Sequence, residues 1–217
     1  MTEAERHALR SVVERATRGE ISRADALRAV PAGAPALAEF SLDIDPRDAA
    51  TARAVPAAKG AATGELSFSA RTTLAAAAEG RAVILAVEET FPEDIDAMRA
   101  ARGIVAIGGG LTGHAAIVSR GLGRPCVCGG SSVRRARPSG LAVEATGGGV
   151  TLLHEGDRIW FDGAAGLVAL APPKLVVAHE IATLLRWALD ALGDARSLDE
   201  AFATHLPSDI VAEAQKR

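Results

Sequence analysis

Leu9, Val12, Val13 and Ala16 recur at helical spacing through an otherwise charged stretch. They predict a helix that opens at Thr2-Glu3-Ala4-Glu5, with acids in its first turn, and ends at Gly19. Ser22 followed by Asp25 predicts a capped short helix through Leu27 and Val30, stopped by Pro31 and Gly33-Ala34-Pro35. Neither helix has apolar face enough to fold alone. From Ser41 the pattern changes. Asp43, Asp45, Pro46 and Asp48 form a turn-rich linker, and short apolar runs then alternate with helical ones. Glu65–Ser69 alternates like a half-buried strand, and Arg71–Glu79 is an Ala-rich helix. Ala82–Val87 and Gly103–Ile107 are continuous apolar strands. Between them Pro92, Glu93, Asp94 and Asp96 open a helix whose buried face is Ile95, Met98 and Ala101. His114–Leu122 is a further helix and Pro125–Cys128 a short strand.

Alternating strand and helix predicts crossover units and a parallel sheet. After Gly129 the pattern becomes short strands, Leu141–Val143, Val150–Leu153, Arg158–Phe161 and Gly166–Leu170. Turn signals separate them: Gly147-Gly148-Gly149, Glu155-Gly156-Asp157 and Asp162-Gly163. The fold class is α/β: a mixed, partly parallel sheet with a β-rich second half. The expected organisation is an N-terminal helical segment (1–40), a central domain (41–172) and a C-terminal helical extension (173–217). The extension opens with a long helix, Leu175–Leu192, carrying an apolar stripe of Ile181, Leu184, Leu185, Ala188 and Leu192. That stripe either folds back on the domain or serves a partner or a second copy of the chain. Ser197–Arg217 reads as helix interrupted by Pro207.

Composition narrows the functions. The 217 residues are 48% hydrophobic and 24% charged, which excludes a mostly disordered chain. A net charge of −3 gives no general attraction for nucleic acid or anionic membrane, and 3% aromatics argues against base-stacking platforms. No apolar stretch reaches the roughly 18 residues of a spanning helix, and the first residues lack the apolar core of a secretory signal. The expected location is the cytoplasm. Cys126 and Cys128 are too close for an ordinary structural disulfide and read as buried strand residues. His7, His154, His179 and His205 show no metal-like spacing. Arg134, Arg135 and Arg137 read as a solvated loop, with docking of an acidic or nucleotide-bearing partner as the alternative.

The segment that carries chemistry runs from Gly108-Gly109-Gly110 through Leu111-Thr112-Gly113-His114 to Arg120-Gly121. It follows a strand and opens a helix. Glycines let the backbone approach an anion, and the first amides of a helix have no intrahelical partners. No Gly-Lys-Ser/Thr follows, so it is not a nucleoside-triphosphate loop, and no acidic residue ends the next strand as a dinucleotide site requires. Instead it offers His114, an imidazole nucleophile on a rigid mount. A phosphoryl group on that ring would meet the Thr112 hydroxyl, amides around Gly109, Gly110 and Gly113, and Arg120.

Thr112–Gly121, with the glycines before it and Gly123-Arg124-Pro125-Cys126-Val127 after it, closely resembles the phosphohistidine segment of the mobile domain of phosphoenolpyruvate (PEP)-utilising enzymes, the pyruvate phosphate dikinases above all. Glu89-Thr90-Phe91-Pro92-Glu93-Asp94-Ile95 resembles that family's E-T-x-P-E-D-I stretch. Glu155-Gly156-Asp157 with Asp162-Gly163 resembles its closing hairpin, and Gly19–Leu27 the helices before its mobile domain. The resemblance covers roughly residues 15–172. It implies a swivelling β/β/α domain whose histidine, here His114, takes a phosphoryl group at one active site and is carried to another. The sequence departs from the family at several places. Gly108 stands where an arginine usually precedes the glycines, Gly113 replaces a serine, Val87 replaces the arginine of V-R-x-E-T, and Pro56-Ala57-Ala58-Lys59-Gly60 replaces P-A-S-P-G.

The expected function is therefore a stand-alone phosphohistidine carrier. It would work with a separate ATP-grasp nucleotide-binding protein and a PEP/pyruvate-binding barrel protein, with self-association through 175–192 as a further contact. No cofactor is expected on the chain itself; Mg²⁺ and ATP or PEP belong to the partners. The alternative is a non-catalytic binding or regulatory module derived from the same domain.

Overall fold

The computed structural model describes residues 3–30, 40–108, 110–137, 140–177, 179–195, 201, 210–211 and 214–215. Thr2, the Gly33-Ala34-Pro35 stop, Gly109 and most of 197–217 lie outside the described residues. The chain divides into two compact units, one of Met1–Ser41 with Leu175–Arg217 and the other of Leu42–Lys174. It crosses from one to the other twice.

The first unit is helical. It contains α1 (Glu3–Thr17), α2 (Arg23–Ala29) and α6 (His179–Leu192). Ser22 caps α2 by accepting from the Asp25 amide at 3.1 Å. The Gln215 amide covers the other end, donating to Leu27 O at 2.7 Å and Val30 O at 2.6 Å. Leu9, Val13 and Leu27 share one core with Ile181, Leu184, Leu185 and Leu189. The apolar stripe that the sequence offers to a partner or a second copy is thus buried within the chain. Its helix also begins later than its hydrophobicity suggests, because Lys174–Val177 is strand β13, paired with β1 (Phe40–Asp43).

The second unit has three layers. Its central sheet has eight strands, in the order β2-β12-β11-β4-β5-β6-β7-β3. These are β2 (Thr51–Arg53), β3 (Val55–Ala58), β4 (Ala61–Ser67), β5 (Val83–Val87), β6 (Gly103–Ala106), β7 (Cys126–Cys128), β11 (Arg158–Asp162) and β12 (Leu167–Ala169). The run β4-β5-β6-β7 is parallel and the flanking pairs are antiparallel. A second, antiparallel sheet holds β8 (Val133–Arg135), β9 (Leu141–Glu144) and β10 (Val150–Leu153). The helices are α3 (Ala70–Ala78), α4 (Ile95–Ala100) and α5 (His114–Gly121).

The continuous apolar strands are sorted by alternation onto two cores. Ile84, Ala86, Val105 and Val127 face one way and pack with Val133, Leu141 and Val143 of the small sheet. Leu85, Val87, Ile104, Ala106, Cys126 and Cys128 face the other way, onto Ala97 and Met98 of α4 and Ala115 and Ala116 of α5. The result is the expected mixed, partly parallel β/β/α arrangement. The β-rich second half contributes to both sheets: β8–β10 make the small one, and β11 and β12 return to the large one. Strands β2 and β3 occupy its two edges, where Pro56 lacks an N–H at no cost to a central ladder. In the triplet Gly147–Gly149, Gly148 and Gly149 have positive φ, and a Cβ on Gly147 would lie 2.7 Å from Ala49 Cβ, so this is an obligatory turn.

Candidate functional site

Parallel strands bring their C-terminal ends together, and crevices in open α/β sheets form there. Here β5 runs out into Glu88-Glu89-Thr90 and β6 into Ile107-Gly108. The two ends leave the sheet in step, Ile107 N donating to Val87 O at 2.7 Å and Gly108 N to Glu88 O at 2.9 Å. The chain then turns, Gly113 N donating to Gly110 O at 2.8 Å, and enters α5 with Gly113 as its N-cap. No side chain caps this helix. The first-turn amides therefore remain available at its positive end.

A pocket of about 240 Å³ opens at this place. Its floor is Ala106 and Cys128, one wall is Gly110, Gly113 and the α5 start at His114-Ala115-Ala116, and the other is Glu88, Glu89 and Thr90 with Gly108. That is smaller than the roughly 300–1,000 Å³ of sites for drug-sized ligands. His114 is exposed at the mouth, while Ala115 and Ala116 fix the helix on the sheet. The Ser119 hydroxyl donates to Ala115 O at 2.6 Å beneath it.

Of the residues expected around the phosphate, Gly110 and Gly113 line the pocket with His114. Gly109 lies outside the described residues. Thr112 is exposed and is not part of the lining. Arg120 points elsewhere. Its Nη1 donates to Ala57 O at 2.9 Å and its Nη2 to Leu111 O at 3.0 Å, tying the glycine loop to β3. Among the described lining residues there is no lysine or arginine. A Cβ at Gly108 would lie 2.5 Å from Glu88 O, so the backbone has closed over the place where a side chain would have to leave. The Arg134–Arg137 run is partly engaged: Arg134 pairs with Glu144 at 3.4 Å, and the Arg135 guanidinium stacks 5.5 Å from the Phe68 ring centroid.

The residues not singled out beforehand as site residues are Glu88, Glu89, Thr90 and Cys128. The signal for the first three was their position after an apolar parallel strand next to the strand that feeds the glycine loop. The Thr90 hydroxyl is sealed from solvent and has no hydrogen-bond partner among the described residues. Burial raises the Cys128 thiol pKa and pushes Cys126 up to about 11, so both stay protonated at neutral pH. Among the described residues no three His, Cys, Asp or Glu side chains gather to hold a metal ion, and no helix is long and apolar enough to cross a membrane.

Residues 80–166 match the family model for the PEP-utilising enzyme, mobile domain. The chain is 38% identical over 187 residues to pyruvate, phosphate dikinase of Rhizobium meliloti, covering 83% of this chain and 20% of that protein. It is 36% identical over 174 residues to pyruvate, phosphate dikinase 1, chloroplastic, of Oryza sativa subsp. japonica (78% and 17%). The Arabidopsis thaliana protein of the same name is 36% identical over 171 residues (76% and 17%). The chain thus spans about a fifth of the length of the curated relatives it matches.

Proposed function

The central unit is a PEP-utilising enzyme mobile domain of the pyruvate, phosphate dikinase kind, and from that premise we propose that the chain is a phosphohistidine carrier working through His114. The observation that supports this most is the exposed His114 at the uncapped start of α5, beside a pocket roomy enough to admit a phosphoryl group. A ring nitrogen of His114 attacks phosphorus, an N–P bond forms, and the donor's P–O bond breaks with its electron pair leaving on the donor oxygen. The helix amides receive the transferred oxygens. The donor is ATP on an ATP-grasp partner and the second station a PEP/pyruvate barrel, each with its own Mg²⁺; in this reading both stand on separate proteins. Intact mass tests it. The chain, incubated with ATP and a nucleotide-binding partner, is expected to gain one acid-labile phosphoryl group, and His114→Ala none. Equal labelling of His114→Ala would refute the assignment. Failure with every donor would favour the alternative, a docking module that has kept the fold without the transfer.

The same reading gives Thr90 a task. A turn of its side chain brings the orphaned hydroxyl, sealed from solvent in this structure, to a phosphoryl oxygen or the phosphorylated ring in the pocket. Thr90→Val is expected to keep or slightly raise thermal stability and to slow phosphorylation by ~10-fold or more, with Thr90→Ser close to the parent. A Thr90→Val chain labelled at the parental rate would rule this out.

A further inference from the structure

The helical unit holds a pocket of its own. Its volume is about 410 Å³, within the roughly 300–1,000 Å³ of small-molecule sites, and it opens between α2, α6 and residues 214–215. Leu27, Trp187 and Ala214 are buried and, with Ala24 and Ala191, give it an apolar side. Its described charged groups are Arg23, Arg28 and Asp190. The Gln215 side chain is fixed, its Nε2 donating to Leu27 O at 2.7 Å and Val30 O at 2.6 Å. The charges are held more loosely. Arg28 gives Nη1 to Asp25 Oδ1 at 3.0 Å, leaving the rest of a five-donor fork. Arg23 Nη1 lies 3.8 Å from Asp190 Oδ2, too far for a hydrogen bond, and its guanidinium stands 5.5 Å from the Trp187 ring centroid. An exposed pair this loose contributes little to folding, so a ligand bearing both signs replaces it at small cost.

Charge decides what fits. Asp190 repels a phosphate or other dianion, and the two arginines repel an amine that brings no acid. A ligand satisfies all three groups only if it carries a carboxylate and an ammonium. Because Arg23 and Asp190 are neighbours, the two ligand charges must be neighbours as well, as they are on an α-carbon. The apolar side of the pocket takes the remainder. We propose that this pocket binds an α-amino acid with an apolar side chain. Its carboxylate lies against the Arg28 and Arg23 guanidiniums, its ammonium donates to Asp190, and its side chain covers Leu27 beside Trp187. So bound, it joins α2 to α6 and to 214–215, and the stability of the helical unit rises with the amino acid's concentration. This site goes beyond the carrier reading and does not depend on His114.

The test is calorimetric titration of the full chain with L-leucine, L-methionine and L-phenylalanine. The des-amino and decarboxylated analogues of whichever binds best follow; for L-leucine these are 4-methylpentanoate and 3-methylbutylamine. Saturable binding with a Kd of ~1 mM or below is expected for at least one amino acid, and each of its analogues binds ~10-fold or more weakly. Asp190→Asn weakens the amino acid ~10-fold and leaves the des-amino analogue unchanged or tighter, whereas Arg28→Gln weakens both. A unit that had merely lost its fold would not show that split. At saturation the α2 amides exchange ~3-fold or more slowly than in the free chain. Non-saturating heats with all three amino acids overturn the proposal. So do equal affinities for the amino acid and its des-amino analogue, displacement of the amino acid by inorganic phosphate, or an Asp190→Asn chain that binds like the parent.

Discussion

A chain ending at Lys174 is expected to keep its mobile domain folded and to lose the fold of its first thirty residues. Among the described residues the helical unit buries Leu9, Val13, Ala26, Leu27 and Val30 from the N-terminal side, but ten from Ile181 to Ala214 on the other. Burying a Leu, Ile or Trp side chain contributes about 1.5–3 kcal/mol. Removing Ile181, Leu184, Leu185, Trp187 and Leu189 therefore takes away on the order of 10 kcal/mol, comparable with the whole stability of an ordinary domain. Neither α1 nor α2 survives alone: the seven residues of α2 fall below the ~12–15 that an isolated helix needs in water, and the fifteen of α1 only reach it. The cores of Leu42–Lys174, by contrast, contain no described residue from outside that span. Amide hydrogen exchange is the measurement: fast exchange across 3–30 with protection retained in β4–β7. Protected amides in α2 of the truncated chain would contradict the shared core.

Gly163→Ala is the second large effect, and it falls on the mobile domain. Gly163 follows β11, is buried, and donates its N–H to Gly60 O at 2.8 Å. A Cβ there would collide with Ala58 O, and would also lie 3.0 Å from Cys126 O and 3.1 Å from Cys126 N. Every one of these atoms is backbone, belonging to β3 and β7, so no rotamer change relieves the contact. Its φ is not positive, so the cost is packing. We expect a loss of ~3 kcal/mol or more, a fall of roughly 10 °C in Tm. Gly110→Ala is the control, since a Cβ there meets nothing within 4 Å, and should stay within ~0.5 kcal/mol. A Gly163→Ala chain melting with the parent would mean that β3 and β7 are free to separate.

What the sequence made legible follows from how each residue is used. Strands β5, β6 and β7 are buried on both faces, so their apolar runs announce them whatever their neighbours. Strands β2, β3 and β8 are three or four residues long and include Pro56 and three arginines, and β2 and β3 are held by pairing partners far away in the chain. No local pattern carries that information. The site divides in the same way. His114 and its glycines are contiguous and are read directly. Glu88, Glu89 and Thr90 join them only through the β5–β6 register, in which Val87 pairs with Ala106. Arg120 is a different lesson. It stands six residues after His114, about 240° around the helix, so helical geometry places it off the histidine's face, whereas Ile117 at three residues shares it.

The two crossings between units, at 41–42 and 174–175, govern how the molecule comes apart. A single protease nick at either crossing severs one link and leaves the mobile domain attached by the other. Two cuts are needed to free it, and the helical remnants then stay together through Leu27, Leu184 and Leu185 as a nicked pair. Limited proteolysis would thus yield one continuous fragment carrying His114 and a two-piece helical companion.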